Sequence, residues 1–102
     1  MTEKLRITSG GGFVVNATNT AGGTTGNQTI NKPSGTVNIA AAGTTVTVTN
    51  SLVTTSSLVF CQLRTNDATA KIKNVVPGSG SFVITLDAAA TAEVSIGFFV
   101  IN

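Results

Sequence analysis

Apolar and polar residues alternate in short runs along this chain, and turn-forming residues interrupt the runs roughly every 8–12 residues. In Thr45–Thr49 the alternation places Val46 and Val48 on one face and the threonines on the other. Ser81–Leu86 repeats the pattern after a strong turn at Pro77-Gly78-Ser79-Gly80. Thr and Val favour strands over helices. The sequence therefore predicts an all-β domain, an antiparallel β-sandwich or jelly-roll-like fold of about seven to nine short strands.

A predicted strand at 57–63 carries apolar residues on both of its faces. Leu58 and Phe60 share one face, and the other carries Val59, Cys61 and Leu63. A strand with two apolar faces is either central in its sheet or covered on its second face by a neighbouring copy. Both interpretations are open at this point.

The last predicted strand, Glu93–Asn102, also has two unlike faces. One face is apolar throughout and is expected in the core: Val94, Ile96, Phe98 and Val100. The other begins small and polar and ends with Phe99 and Ile101. Chain ends are commonly polar and frayed, so apolar residues there need a cover that a subunit contact would supply. We therefore predict Phe99 and Ile101, followed by Leu63, as subunit-interface residues.

The chain is poor in charge, with 10% charged residues against the roughly 25% of an average soluble domain. A polar but uncharged surface suits a protein that works packed against other molecules. The net charge of +2 is small, and the one close basic pair is Lys71 and Lys73. A nucleic-acid binder would show a basic patch or stripe, so no nucleic-acid partner is predicted.

Catalytic side chains are scarce. The chain has no His, which removes the commonest general base and metal ligand. Cys61 is the single cysteine and lies among apolar residues, so we interpret it as a small apolar group in the core. Four carboxylates are present, at Glu3, Asp67, Asp87 and Glu93, and none has a spacing that indicates a metal loop. We predict a non-enzymatic protein without metal or cofactor.

The chain divides into an N-terminal segment, 1–26, and a β-sandwich core, 27–102. Residues 4–8 and 12–17 are predicted to pair, and Thr18–Gly26 is interpreted as an exposed, flexible Gly/Thr-rich loop. Asp87–Ala92 fits either one helical turn or a loop; we favour the loop because the segment is too short to nucleate a stable helix. No secretory signal or transmembrane segment is predicted.

From about residue 27 onward the chain resembles a recurrent small domain of tailed-bacteriophage virion proteins. The resemblance covers roughly three-quarters of the chain. It rests on these phrases: Thr29–Gly35, Val37–Ala42, Val46–Val53, Arg64–Ala70, Gly80–Phe82, Ala88–Ala92 and Gly97–Asn102.

The resemblance implies a structural role in the virion, after synthesis in the cytoplasm of the bacterial host. It suggests two alternatives, a capsid decoration (cement) protein or the terminal module of a tail fibre or spike, both typically homotrimers of β-rich subunits. The expected partners are further copies of this chain and the major capsid protein or other virion proteins, with no membrane. A chain that starts at its own Met and holds only this domain favours decoration, with 1–26 as an arm across the capsid lattice.

In the tail-fibre alternative, exposed loops would contact the host surface, because loops on rigid β scaffolds commonly carry binding. The candidate contact residues are Thr18, Asn19 and Thr24 in the first loop and Asn66 and Asp67 in the second.

Overall fold

A computed structural model describes residues 5–7, 9–11, 13–15, 17–18 and 23–102. Within these ranges the chain forms eleven strands and no helix, and hence no helix able to cross a membrane. The strands are β1 (Leu5–Ile7), β2 (Phe13–Val15), β3 (Ala17–Thr18), β4 (Thr24–Thr25), β5 (Gln28–Thr29), β6 (Ser34–Ile39), β7 (Thr45–Thr49), β8 (Leu58–Leu63), β9 (Ile72–Gly78), β10 (Ser81–Leu86) and β11 (Val94–Ile101). The excess over the seven to nine expected comes from strands of two or three residues.

Two sheets pack face to face, which confirms the predicted all-β sandwich. One sheet has the order β5-β7-β10-β9, and the other has the order β3-β6-β11-β8 with β4 also beside β6. The long strands pair antiparallel, whereas the two-residue strands β3, β4 and β5 pair parallel to their neighbours. β1 and β2 form a separate antiparallel pair, with Arg6 opposite Val14.

The core lies between the two sheets, on the faces that the alternation predicts. β7 and β10 contribute one side and β6 and β11 the other. The fully buried large apolar side chains are Val37, Ile39, Val46, Val48, Phe82, Ile84, Val94 and Ile96. The rings of Phe82 and Phe98 meet across the core edge to face, with their centroids 5.0 Å apart and their planes at 63°. Such aromatic pairs stabilise a core by about 0.5–1.5 kcal/mol beyond the area that they bury.

Strand β6 corrects one prediction. The sequence predicts a turn at Lys32–Gly35; the chain does bend at Lys32 and Pro33, but the strand already begins at Ser34, and all six of its residues are buried. The reason is its central position, with β11 on one side and β3 and β4 on the other. Gly35 permits the packing, because a Cβ there would lie 3.0 Å from the ring of Phe98.

The segment after β10 is an irregular loop, as favoured from the sequence, and it is tied to the turn after β6. The Ala42 N–H donates to the Ala90 carbonyl at 2.7 Å, and the Ala90 N–H donates to the Gly43 carbonyl at 3.1 Å. Ala42 adopts a left-handed backbone conformation, with φ of 68°. The reciprocal bonds hold Ala90 in the core.

Candidate interaction surface

Strand β8 lies at the edge of its sheet. Of the two alternatives that its apolar faces suggest, a central position is therefore excluded. Within the described residues β11 is its one ladder neighbour. The antiparallel register sets Phe60 opposite Phe99 and Leu58 opposite Ile101. Side chains opposite each other in a ladder point to the same face. These four residues therefore form one group on the outer face, here named the outer β8–β11 cluster.

The outer β8–β11 cluster is apolar and largely open to solvent. Leu58 is 60% exposed, Phe60 56% and Ile101 41%, while Phe99 is half-buried. A large side chain has on the order of 150–250 Å² of surface. The exposed fractions of Leu58, Phe60 and Ile101 therefore add up to about 300 Å² of exposed apolar surface. A patch of this size matches the largest found on typical monomers, and such patches are often functional.

The opposite face of β8 belongs to the core. Val59, Cys61 and Leu63 are half-buried and pack against the hydrophobic core between the two sheets. Leu63, a candidate interface residue from the sequence, therefore lies on the other side of the strand from Phe99 and Ile101. Burial raises the pKa of the Cys61 thiol to about 12, so the group is neutral at physiological pH.

Polar contacts hold the end of β11 in place beside the cluster. The Asn102 side-chain amide donates to the Leu52 carbonyl at 2.9 Å, and the Ser57 hydroxyl donates to the Asn102 side-chain oxygen. The Thr54 N–H donates to that same hydroxyl at 2.9 Å. The loop before β8 thus anchors the strand end, so that Ile101 keeps its position in spite of lying next to the last residue.

The second predicted contact loop is held by four hydrogen bonds to the Asp67 carboxylate. One carboxylate oxygen accepts the N–H groups of Thr69 and Ala70 at 3.0 and 2.9 Å. The other accepts the N–H and the hydroxyl of Thr91 at 3.0 and 2.8 Å. These bonds hold the pKa of Asp67 well below its usual range, with the Ala70 and Thr69 N–H groups as the largest causes. Asn66, next to it, is exposed.

Strands occupy two described parts of the first predicted contact loop, 18–26. Thr18 closes β3 and Thr24 opens β4, and both strands pair with β6. The side chain of Thr24 is exposed, and Asn19 lies outside the described residues. The sequence offers no period-2 signal for either two-residue strand, since their pairing is with a distant segment.

Glu93 fastens β4 to the sandwich. Its carboxylate accepts hydrogen bonds from the Thr25 hydroxyl and, at 2.7 Å, from the Asn38 amide. The other end of the Asn38 side chain accepts the Gly23 N–H at 3.0 Å. The two hydrogen bonds to the carboxylate lower the pKa of Glu93, with the Thr25 hydroxyl as the larger cause.

The outer face of the other sheet carries Thr45, Thr47 and Thr49 along β7. Val83 lies opposite both Thr47 and Val76, and Val76 is 55% exposed. This face lacks aromatic residues. Its exposed valine makes it a useful comparison for Phe60.

The part of the chain that the structure describes holds no group of three or more His, Cys, Asp or Glu side chains that could bind a metal ion. Its most distinctive surface feature is the outer β8–β11 cluster. Sequence reasoning named two of its four members, Phe99 and Ile101, as interface residues. It grouped Leu58 and Phe60 on one face of their strand, but chose Leu63 from the other face as the interface residue. Comparison with protein-family models, with curated proteins and with solved structures finds no match to this chain.

Proposed function

We propose that this chain is a structural subunit of a tailed-bacteriophage virion, which acts by assembling with copies of itself and with other virion proteins and catalyses no reaction. The observation that carries the proposal is the outer β8–β11 cluster, an apolar surface on a domain with 10% charged residues. The family resemblance of residues 27–102 supplies the virion as the setting.

Within the virion, capsid decoration is the role we favour. A homotrimer at a three-fold or quasi-three-fold position would bridge neighbouring capsomers and raise the free energy of capsid rupture. Protein that binds the intact lattice and not the dispersed capsomers stabilises the lattice by mass action. Few ionic contacts are available on this chain, so such binding would depend weakly on salt.

Capsid binding is the direct test. The purified chain is mixed with capsids that lack decoration, and the capsids are then sedimented and heated. We expect the chain to sediment at a fixed ratio to capsid protein and to raise the temperature at which capsids rupture. Absence of the chain from the pellet, at all ratios tested, would overturn the decoration role.

A tail-fibre module is the second candidate, and the Asp67 loop favours it. Four hydrogen bonds to one carboxylate set the loop conformation while Asn66 stays exposed. Binding residues are commonly presented on loops that a scaffold holds rigid. The labelled chain would then bind host cells, and Asn66→Ala would weaken that binding. The same chain would not bind capsids, and this combination would support the tail-fibre role over decoration.

A further inference from the structure

We infer that a second copy of this chain docks on the β8 edge, with the outer β8–β11 cluster at the centre of the contact. The inference deepens the proposed function, on which it rests, by naming the surface and the partner of self-assembly. Three observations support it: the state of the sheet edges, the direction of the β8 backbone groups, and the chemistry of the cluster.

Among the strand edges that the structure describes, β8 is the long one without protection. β9, on the same side of the sandwich, carries Lys73 and Pro77 and a register shift, all of which discourage pairing with another strand. The opposite edges are strands of only two residues, β3, β4 and β5. β8 has six residues with neither charge nor proline, so these natural defences against edge pairing are missing at its edge.

The backbone of β8 presents unused hydrogen-bonding groups at this edge. The Arg64 N–H, just past the strand, donates to the Ser95 carbonyl of β11 at 2.7 Å. Backbone groups of an antiparallel strand alternate in direction, so those of the even-numbered residues of β8 point towards β11. The N–H and C=O groups of Val59, Cys61 and Leu63 therefore point outward, where an additional strand would bind them.

The chemistry of the cluster favours an apolar partner. No charged residue occurs in 51–63 or in 94–102, the two segments that carry the cluster. The nearest charge on this face is Arg64, whose side chain lies over Gly97 and donates to the Thr36 hydroxyl at 3.0 Å. A stable interface buries roughly 800 Å² on each partner, with an apolar core and a polar rim. The cluster supplies about 300 Å² of that core, and the polar neighbours Ser56 and Gln62 are placed to form the rim.

A second copy satisfies these requirements together. It brings an edge with the same unpaired backbone groups and an apolar cluster of the same size, and it carries no charge that would be desolvated at the centre. Self-complementary surfaces of this kind are the usual basis of symmetric homo-oligomers. A nucleic acid or an anionic surface would find one basic side chain, Arg64, beside the cluster and no basic patch.

The test compares three proteins by light-scattering mass over about a hundredfold range of concentration: the unmodified chain, Phe60→Lys and Val76→Lys. Phe60 and Val76 have matched exposures, 56% and 55%, on different sheets. We expect the unmodified chain and Val76→Lys to form the same oligomer. Phe60→Lys should raise the dissociation constant about tenfold or more, because a buried Phe becomes a desolvated charge. A monomeric unmodified chain, or equal effects of the two variants, would overturn the inference.

Hydrogen exchange tests the edge itself and also guards against misfolding of Phe60→Lys. The amides of Phe60 and Gln62, which bond to β11, should be protected in both proteins if the variant is folded. The amides of Val59, Cys61 and Leu63 should be protected in the oligomer and exchange fast in monomeric Phe60→Lys. Fast exchange of these three amides in the oligomer would show that copies meet elsewhere.

Failure of the inference and of the proposed function give different results. A monomer that binds capsids or host cells would leave the virion role intact and remove the β8 contact. An oligomer that depends on Phe60 but binds neither would retain the contact and remove the virion role.

Discussion

Asp67 and Thr91 join the loop between β8 and β9 to the loop between β10 and β11. One carboxylate oxygen of Asp67 accepts both the N–H and the hydroxyl of Thr91, at 3.0 and 2.8 Å. The residues are 24 positions apart, and the pairing of β8 with β11, which continues in the bond from the Arg64 N–H to the Ser95 carbonyl, brings their loops side by side. The other carboxylate oxygen closes the turn at Thr69 and Ala70. A single side chain thus organises a loop that carries no regular structure.

Acid should weaken the fold through Asp67. Its folded-state pKa is below the unfolded value of about 3.9, so its contribution is complete above that value and is lost as the pH falls towards the folded pKa. We expect Asp67→Asn to lower the urea midpoint at pH 7 and to reduce the fall in midpoint between pH 7 and pH 3. Thr91→Val, which keeps the N–H contact, should lower the midpoint less. Equal midpoints for Asp67→Asn and the unmodified chain at pH 7 would contradict this role.

Asn38→Asp should loosen the attachment of β4. The substitution replaces the amide that donates to Glu93 with a second carboxylate, so an attraction becomes a repulsion. We expect destabilisation of about 1–3 kcal/mol at neutral pH, as for other broken partly buried polar contacts, measured by urea unfolding. Adding Glu93→Gln should restore part of the loss. Asn74→Asp, at an exposed site on β9, is the control and should change stability by less than about 0.5 kcal/mol.

Ala42→Gly should leave the protein as stable as before or more stable. Ala42 holds a φ of 68°, which costs an L-residue roughly 1–2 kcal/mol, while glycine loses about 0.5–1 kcal/mol more entropy on folding. The expected net gain is about 0–1.5 kcal/mol, seen as an equal or higher thermal midpoint. Ala41→Gly, next to it and without a positive φ, should lower the midpoint. A clear loss for Ala42→Gly would mean that the turn differs in solution.

Cys61 should be almost unreactive in the folded protein. Its thiol is half-buried against the core and its pKa is raised to about 12 by burial, so very little of the reactive thiolate exists at neutral pH. A disulfide reagent at pH 8 should modify the folded chain far more slowly than the chain in denaturant, where the pKa is near 8.5. Comparable rates in the two states would place the thiol at the surface.

The core could be predicted closely because strand alternation is a local property. Val46 and Val48 are buried between outward-facing threonines, and Phe82, Ile84 and Leu86 share the inner face of β10. In each case the side chains of successive residues must point to opposite faces. The starting point of β6 was harder, because Ser34 and Gly35 carry turn-forming residue types, and their burial comes from strands distant in the sequence.

The candidate interaction surface could be predicted only in part. Phe99 and Ile101 stand out because a polar chain end would be expected there, and both lie on the outer face. Leu63 was grouped with them, but side chains alternate between the two faces of β8, and that of Leu63 lies on the face that packs against the core. The links from Asp67 to Thr91 and from Glu93 to Asn38 had no signal in the sequence, since they join residues 24 and 55 positions apart.

By itself the sequence determined the all-β class, the inward and outward faces of the long strands, and the scarcity of charge and of catalytic side chains, because each depends on residue types and nearest neighbours. The tertiary structure alone decided that β8 stands at an edge and that its register brings Phe60 against Phe99. Strand order and register are set by long-range pairing, in which all strands compete for the same core. An apolar strand face is therefore visible in the sequence, whereas its neighbours and its exposure are not.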